Sequence, residues 1–435
     1  MKTRSHQILI LVIGLLTSQS IFAETLMQIY DLALENDPSF KNATAVRDSV
    51  HESLNISRGS FLPNIDLNAN YSDNDGNGTV FNPNTNTFDS EAVTRYSITL
   101  TQPIYRRNNT TTHAQNKNLV KQADADFETA RQALIIRVAE KYFDVLSARD
   151  SLEFTRAEKS AISRQLEQTK QRFDVGLVAI TDVHEAQARY DLSVAQRIEA
   201  ENDLNNRLEA LRAITGQYHD VLSPLIEQTP LLPPEPDNIE AWTQTALEQN
   251  LALMAAQYRV KQLRNSVDSA RAGHHPTLDF ITSYSDSTAT GATDSTEYRL
   301  NFNLNLFAGG TTNASARQAL HNLTQAQEIL EEQRRTTQQN VRSAYLRAQA
   351  GISLVKAFKQ AVVSSESRLK ASEAGFEVGT RTTVDVLNAR QDLFRAQKDY
   401  SQSRYRYVLD MLRLKQAAGL LGMKDIELVN GWLES

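Results

Sequence analysis

The chain has 435 residues, no cysteine, and 46 basic against 52 acidic residues, a formal charge of −6. Without cysteine there is neither a disulfide framework nor a lipid-modified thiol, and the acidic balance argues against nucleic acid as a partner. Apolar residues make up 40% of the chain, but they fall in periodic stripes, not in the continuous runs of an α/β enzyme core.

Residues 1–23 read as an export signal. Lys2 and Arg4 precede an apolar run from Ile8 to Leu16, and the small Ala23 marks the cleavage point. The run is too short for a spanning helix. Removing it leaves 44 basic against 52 acidic residues, a charge of −8.

A first structural unit is expected over 24–240. In 64–72, Ile65, Leu67, Ala69 and Tyr71 alternate with Asn64, Asp66, Asn68 and Asn70; in 95–103, Tyr96, Ile98 and Leu100 alternate with Ser97, Thr99 and Thr101. Period two means strand. Pro63 and Pro103 stand at strand ends, where a missing donor is tolerated, and a polar connection fills 72–93. A helix follows over about 107–175, with Phe127, Leu134, Val138, Tyr142, Val145 and Leu152 at helical steps, and a second over about 181–214. At 1.5 Å per residue the first is a rod of roughly 90–100 Å, wider than a globular domain, so it must lie against other rods. Gly176 marks a tight turn between the two, and a proline-rich link with LLPPEP at 231–236 occupies 217–240.

The second unit, 241–422, repeats the first. Strands are expected at about 277–285 and 297–306, joined by a polar connection at 285–296, and helices at about 310–377 and 384–418, with a turn at Gly379 and a short tail over 423–435. Residues 142–216 lie over 345–419 at a constant offset of 203, pairing Tyr142 with Tyr345, Phe173 with Phe376, Gly176 with Gly379, Asp182 with Asp385, Leu211 with Leu414 and Gly216 with Gly419. Such a duplication constrains architecture before any other feature. Upstream the offset is 213 at Pro63 and Pro276 but 202 at Tyr96 and Tyr298, so the second copy is eleven residues shorter in between. That falls in a polar loop, where length changes are cheap.

Strands apolar on one face and amide-rich on the other, with tyrosines near their ends, fit a membrane β-barrel wall. A soluble sheet packed on helices shows the same alternation. Export and the long polar loops favour the barrel. Four strands cannot close one, and an open edge cannot face lipid, so two chains with eight strands or three with twelve are required.

Taken together, VGLVAITDV at 175–183, VGTRTTVDVLNA at 378–389, QPIY at 102–105 and NLFAGG at 305–310 resemble the TolC family of outer-membrane efflux proteins, over essentially the whole chain after the signal. The resemblance implies a homotrimer: a 12-stranded transmembrane β-barrel, four strands per chain, continuous with an all-α tunnel of long antiparallel coiled-coil helices in the periplasm and a small mixed α/β equatorial belt. It implies an exit duct in the outer membrane for tripartite efflux and type I secretion. The partners would be a periplasmic adaptor (a membrane fusion protein) and an inner-membrane transporter of the RND, ABC or MFS type. No catalysis, cofactor, metal or nucleic acid is implied.

In the family the helix tips close the tunnel. Asp385 matches the constricting aspartate, and three copies around an axis would form a ring of like charges that take up protons more readily than alone. Arg381 matches the arginine that tethers the closed tip, with Thr181 and Asp182 matching its partners, and Gly176 and Gly379 fall where an adaptor would grip. Two positions depart from the family pattern: Asn388 replaces a second aspartate, and Phe376 replaces a tyrosine and cannot donate a hydroxyl hydrogen bond. Taken alone, Asp182 and Asp385 also fit first-turn helix acids, and Arg381 a solvated surface cation.

The other constellations carry little. His274 and His275 are adjacent, so as strand residues they would point to opposite faces, and NDGNG at 74–78 lacks the closing glutamate of a calcium loop. The competing function is a trimeric coiled-coil surface fibre without a pore, which explains rods and export but not the paired strands. A soluble enzyme would need a polar constellation that the sequence does not offer.

Overall fold

The computed structural model describes residues 23–73, 80–82, 87–89, 92–219, 221–289 and 292–434. The expected signal before Ala23 and most of the polar connection at 72–93 lie outside them. Two short helices open the chain, α1 (Leu26–Asn36) and α2 (Pro38–Gly59), and β1 (Asn64–Asp73) follows. Within the first connection a small hairpin, β2 (Val80–Asn82) with β3 (Thr87–Asp89), pairs antiparallel; no alternation in the sequence announces it. Next come β4 (Ala92–Arg106), the 68-residue α3 (Arg107–Asp174) and α4 (Ile180–Thr215). The second copy repeats the series with α5 (Ile239–Gln249), α6 (Leu251–Arg271), β5 (Thr277–Ser287), β6 (Ser295–Asn303), the 67-residue α7 (Thr311–Glu377) and α8 (Thr383–Ala418). The weakly patterned tail forms a further helix, α9 (Met423–Asn430).

The long strands make one antiparallel sheet in the order β1-β4-β5-β6, leaving β1 and β6 as free edges. Register keeps the apolar residues on one face: Ile65 opposes Leu100, Leu67 opposes Ile98, Leu278 opposes Phe302 and Phe280 opposes Leu300. That face is bare, with Leu67 72% and Leu300 69% exposed, so no helix among the described residues covers it. The sheet packed on helices is thereby set aside. β4 continues beyond Pro103 through a register shift between Pro103 and Tyr105, which absorbs the proline's missing donor. β6 stops at Asn303, so Leu304 and Leu306, expected in the strand, follow it instead. Where sheet meets helix, the Arg106 guanidinium forks onto the buried Asp279 carboxylate at 2.8 and 2.9 Å, a directional pair suited to a fixed junction.

Below the sheet the helices stand side by side. α2 and α6 flank the upper part of α3, and α4 and α8 its lower part; α7 borders α6 and α8. The main core lies where α1, α9 and the link wrap α3 and α8, around Tyr142, Phe143, Leu146, Leu211, Tyr407 and Leu412. Burying each large apolar side chain there stabilises by about 1.5–3 kcal/mol. The duplicated tyrosines do equivalent work. Tyr142 Oη donates to the Ser223 carbonyl at 2.7 Å and Tyr345 Oη to the Asp237 carboxylate, so each copy pins the link strap to its long helix. Both hydroxyls are pushed up in pKa, Tyr142 by burial and Tyr345 by its bond to Asp237. Among the described residues no helix is long and apolar enough to cross a membrane.

Candidate functional site

Each long helix ends in a turn and reverses into a 36-residue partner, placing two helical tips at the end farthest from the sheet. The turns are built alike. At the end of α3, Gly176 has φ +77°, its N–H donates to the Phe173 carbonyl and that of Leu177 to Arg172; at the end of α7, Gly379 has φ +78°, with Gly379 donating to Phe376 and Thr380 to Gly375. These bonds satisfy helix-terminal carbonyls, and glycine takes the left-handed conformation without strain.

The restarts differ. Thr382 caps α8: its hydroxyl accepts from the Asp385 N–H at 3.2 Å and donates to the Asp385 carboxylate at 2.9 Å, which also accepts the Thr382 N–H at 2.9 Å. These Thr382 donors, the backbone N–H first and then the hydroxyl, hold the Asp385 carboxyl below the usual range, with smaller help from Arg381 and Arg368. In the first copy the capping position is Ala179, which has no hydroxyl, and only its N–H reaches Asp182, at 3.3 Å. Asp182 and Asp385 are both first-turn acids. Within one chain the neighbours of Asp385 favour its charged form, opposite to the effect expected of a ring of like charges.

Arg381 lies over its own turn. A Cβ at Gly375 would meet the Arg381 Cγ at 2.7 Å, and the Arg381 N–H donates to the Gly375 carbonyl. Among the described residues of one chain it makes no side-chain hydrogen bond or ion pair with Thr181 or Asp182, and Thr181 is exposed. Phe376 has the Arg172 guanidinium 4.6 Å from its ring centroid, an electrostatic contact that needs no hydroxyl. Asn388 accepts a hydrogen bond from Arg189 Nη2 at 3.2 Å.

Sequence reasoning passed over Arg172, Arg189 and Arg390. Arg189 of α4 reaches Gln391 as well, at 3.4 Å, and Glu185 on its own helix at 3.0 Å. Arg390 of α8 donates to Glu373 on α7 at 2.6 Å and to the Ala161 carbonyl on α3 at 3.1 Å. Arg368 on α7 pairs with Asp392 on α8. The signal that could have found them was present in the duplication: at the 203 offset Arg172 falls on Gly375, Arg189 on Asp392 and Gln165 on Arg368. Elsewhere, the His274 ring bonds to Asn313, and the described residues contain no cluster of three or more metal-ligating side chains.

The model of the outer membrane efflux protein family matches residues 29–217 and 242–420, once for each copy. The chain is 40% identical to the outer membrane protein TolC of Vibrio cholerae, over 96% of this chain and 95% of that protein. It is 38% identical to TolC of Escherichia coli K12, over 94% and 85%, and 29% identical to the alkaline protease secretion protein AprF of Pseudomonas aeruginosa, over 95% and 88%. Among solved structures, the CmeC outer membrane channel of Campylobacter jejuni superimposes with a TM-score of 0.78 at 19% identity, covering 94% of this chain and 90% of that one. The open-state MtrE outer membrane channel of Neisseria gonorrhoeae gives 0.74 at 17% identity, covering 91% and 89%.

Proposed function

Because the chain belongs to the outer membrane efflux protein family and is an outer-membrane exit duct for efflux and type I secretion, we propose that it works as a homotrimer whose helix tips open and close a tunnel. The observation that carries closure by further copies of the chain is the sheet with two free edges, and three is the number that the family resemblance implies. β1 and β6 present unpaired backbone groups beside a bare apolar face, and in lipid those groups must find partners. Pairing β6 of one copy with β1 of the next, three times, closes twelve strands with the apolar face outward and the Asn, Ser and Thr face inward. The helical edges agree: α2 and α4 border one side of the chain and α7 the other, with Val46, Ile56 and Ile198 exposed on the first and Ile329 and Val363 on the second.

At the tips, Asp385 from three chains forms one acidic ring. Asn388 leaves the second position neutral, so the throat carries three carboxylates. Arg381 serves as the tether between neighbouring chains, with Thr181 and Asp182 as its partners, and Phe376 contributes a ring in place of a hydroxyl. Gly176, Gly379 and the residues beside them form the surface that a periplasmic adaptor grips, and an inner-membrane transporter of the RND, ABC or MFS type supplies the energy. The duct itself catalyses nothing and binds no cofactor, metal or nucleic acid.

The division into a 24–240 and a 241–422 repeat follows from the same reading, each repeat giving two barrel strands and one tip hairpin. A surface fibre has no use for a four-stranded sheet with a bare apolar face. Conductance of the purified protein in a planar bilayer tests the duct: discrete steps carried by a trimer are expected, and a heat-stable trimer without conductance would favour the fibre.

A further inference from the structure

The two tip hairpins place their charges differently. Near the tip of the α7–α8 hairpin, Arg368 pairs with Asp392 and Arg390 with Glu373 at 2.6 Å, Arg390 also donating to the Ala161 carbonyl of α3 at 3.1 Å. At the corresponding positions the α3–α4 hairpin has Gln165 with Arg189, and Lys170 with Gln187. Neither pair can form a salt bridge. Gln165 is 5% exposed and its Nε2 finds no partner, Gln187 bonds back to Asp191 on its own helix, and Arg189 turns away to the other copy.

Its guanidinium forks onto Asn388 at 3.2 Å and Gln391 at 3.4 Å, two α8 residues one helical turn apart, while Glu185 holds its Nε at 3.0 Å. A second cation of the first copy crosses in the same direction. Arg172, at the place taken by Gly375 in the other copy, lies over the Phe376 ring at 4.6 Å. An arginine fork gripping two neutral amides, with a cation over an aromatic face, is directional and can break without exposing a packed core.

We propose that Arg172 and Arg189, beside the Arg390 bond to the Ala161 carbonyl, clasp the tip of the first hairpin to that of the second within each protomer, and that loosening this clasp favours the swing of α7–α8 as a unit. They are positioning residues, not part of the throat ring. The inference rests on the gated-duct reading above.

Single-channel recording of the purified trimer tests it. Arg189→Ala should raise the open-to-closed ratio by at least about tenfold, the low end for losing one hydrogen bond to a charged group. Arg189→Lys, which keeps the charge but cannot fork, should fall in between. Asn388→Ala should have a smaller effect because Gln391 remains, and the Arg189→Ala/Asn388→Ala double variant should match Arg189→Ala alone, since residues in direct contact are not additive. Phe376→Leu and Arg172→Ala should likewise fail to add. A gating ratio unchanged by Arg189→Ala in an intact trimer, or fully additive effects, would overturn the clasp and leave the duct standing. If Arg189→Ala does not assemble, removing both acceptors with Asn388→Ala and Gln391→Ala decides the same question from α8. A parent protein that never conducts would overturn the duct reading itself.

Discussion

The α3–α4 hairpin and the α7–α8 hairpin are nearly equal in length, with 68 and 36 residues in the first and 67 and 36 in the second. They share left-handed glycines at the tips and again at the belt, and they share buried alanines, Ala186 and Ala389, at 0% exposure. Both carry ion pairs across their own helices, Arg156–Glu201 and Arg207–Asp144 farther from the tip in the first, but the polar chemistry near the tips differs. The second hairpin has a threonine cap and two ion pairs across its own helices near the tip, whereas the first has an alanine cap, an unpartnered buried amide and two arginines that serve its neighbour. Duplicated backbones can hold one geometry while their side chains divide the labour, one copy becoming a rigid mover and the other the arm that restrains it. Such a division is what separates a symmetric wall from a gate.

The comparison can be broken most forcefully at the belt. Gly216 and Gly419 both end their helices at positive φ, +80° and +78°, but their surroundings differ. A methyl at Gly216 would sit 3.7 Å from Asn36, an ordinary contact, whereas one at Gly419 would lie 2.2 Å from the Gln249 carbonyl oxygen. Gly216→Ala should cost only the left-handed strain of about 1–2 kcal/mol. Gly419→Ala adds a clash with backbone that cannot rotate away, so it should lower the dissociation temperature of the detergent-solubilised trimer well beyond Gly216→Ala. Equal losses would mean that the α5–α6 corner yields, and that the second copy is no more tightly built than the first.

A smaller effect is expected at Arg390 and its counterpart Gln187. Arg390→Ala removes a donor from Glu373 and from the Ala161 carbonyl, and losing hydrogen bonds to a charged group costs about 1.5–3 kcal/mol. Gln187→Ala removes only a same-helix bond on a solvated face and should stay within about 0.5 kcal/mol of the parent. Limited proteolysis at the tips measures both, since cleavage follows local opening. Faster cutting of α7–α8 in the first variant and none in the second is the expected outcome; equal rates would remove the contrast between a rigid and a restrained hairpin.

Much of the architecture was legible because it rests on period. Alternation at 64–72 and 297–303 and helical stripes such as Leu134, Val138, Tyr142 and Val145 are repeated along the chain, and the 203 offset ties the two long-helix hairpins together. Features that depend on a single contact were not legible. The Pro103–Tyr105 shift, the end of β6 before Leu304 and the capping of Asp385 by Thr382 each turn on local geometry. At the tips the resemblance drew attention to Asp385, Arg381 and Asn388, but Arg189 is one arginine among many on a polar helix, distinguished only by the acid that stands at its place in the other copy. The burial of Gln165 is a product of packing that no periodic pattern announces.

The finest test sets local chemistry against threefold symmetry at Asp385. Its Thr382 donors hold the carboxyl below the ordinary value of 3.8. A depressed folded value means that the charged cap contributes its full stability above the ordinary carboxylate range and loses it only as the pH falls through the depressed value. Three such carboxylates in a narrow throat would repel one another and raise the same value. Block of the channel by a trivalent cation, followed as the pH is lowered, reads the balance. If the Thr382 bonds dominate, block persists below pH 3.8 and Thr382→Ala shifts its loss to higher pH, while Ala179→Thr in the first hairpin leaves it unchanged. If block is already lost above that value in the parent protein, mutual repulsion outweighs the cap. The second hairpin would then carry a proton-sensitive ring despite its local ties, and its polar bonds would serve rigidity alone.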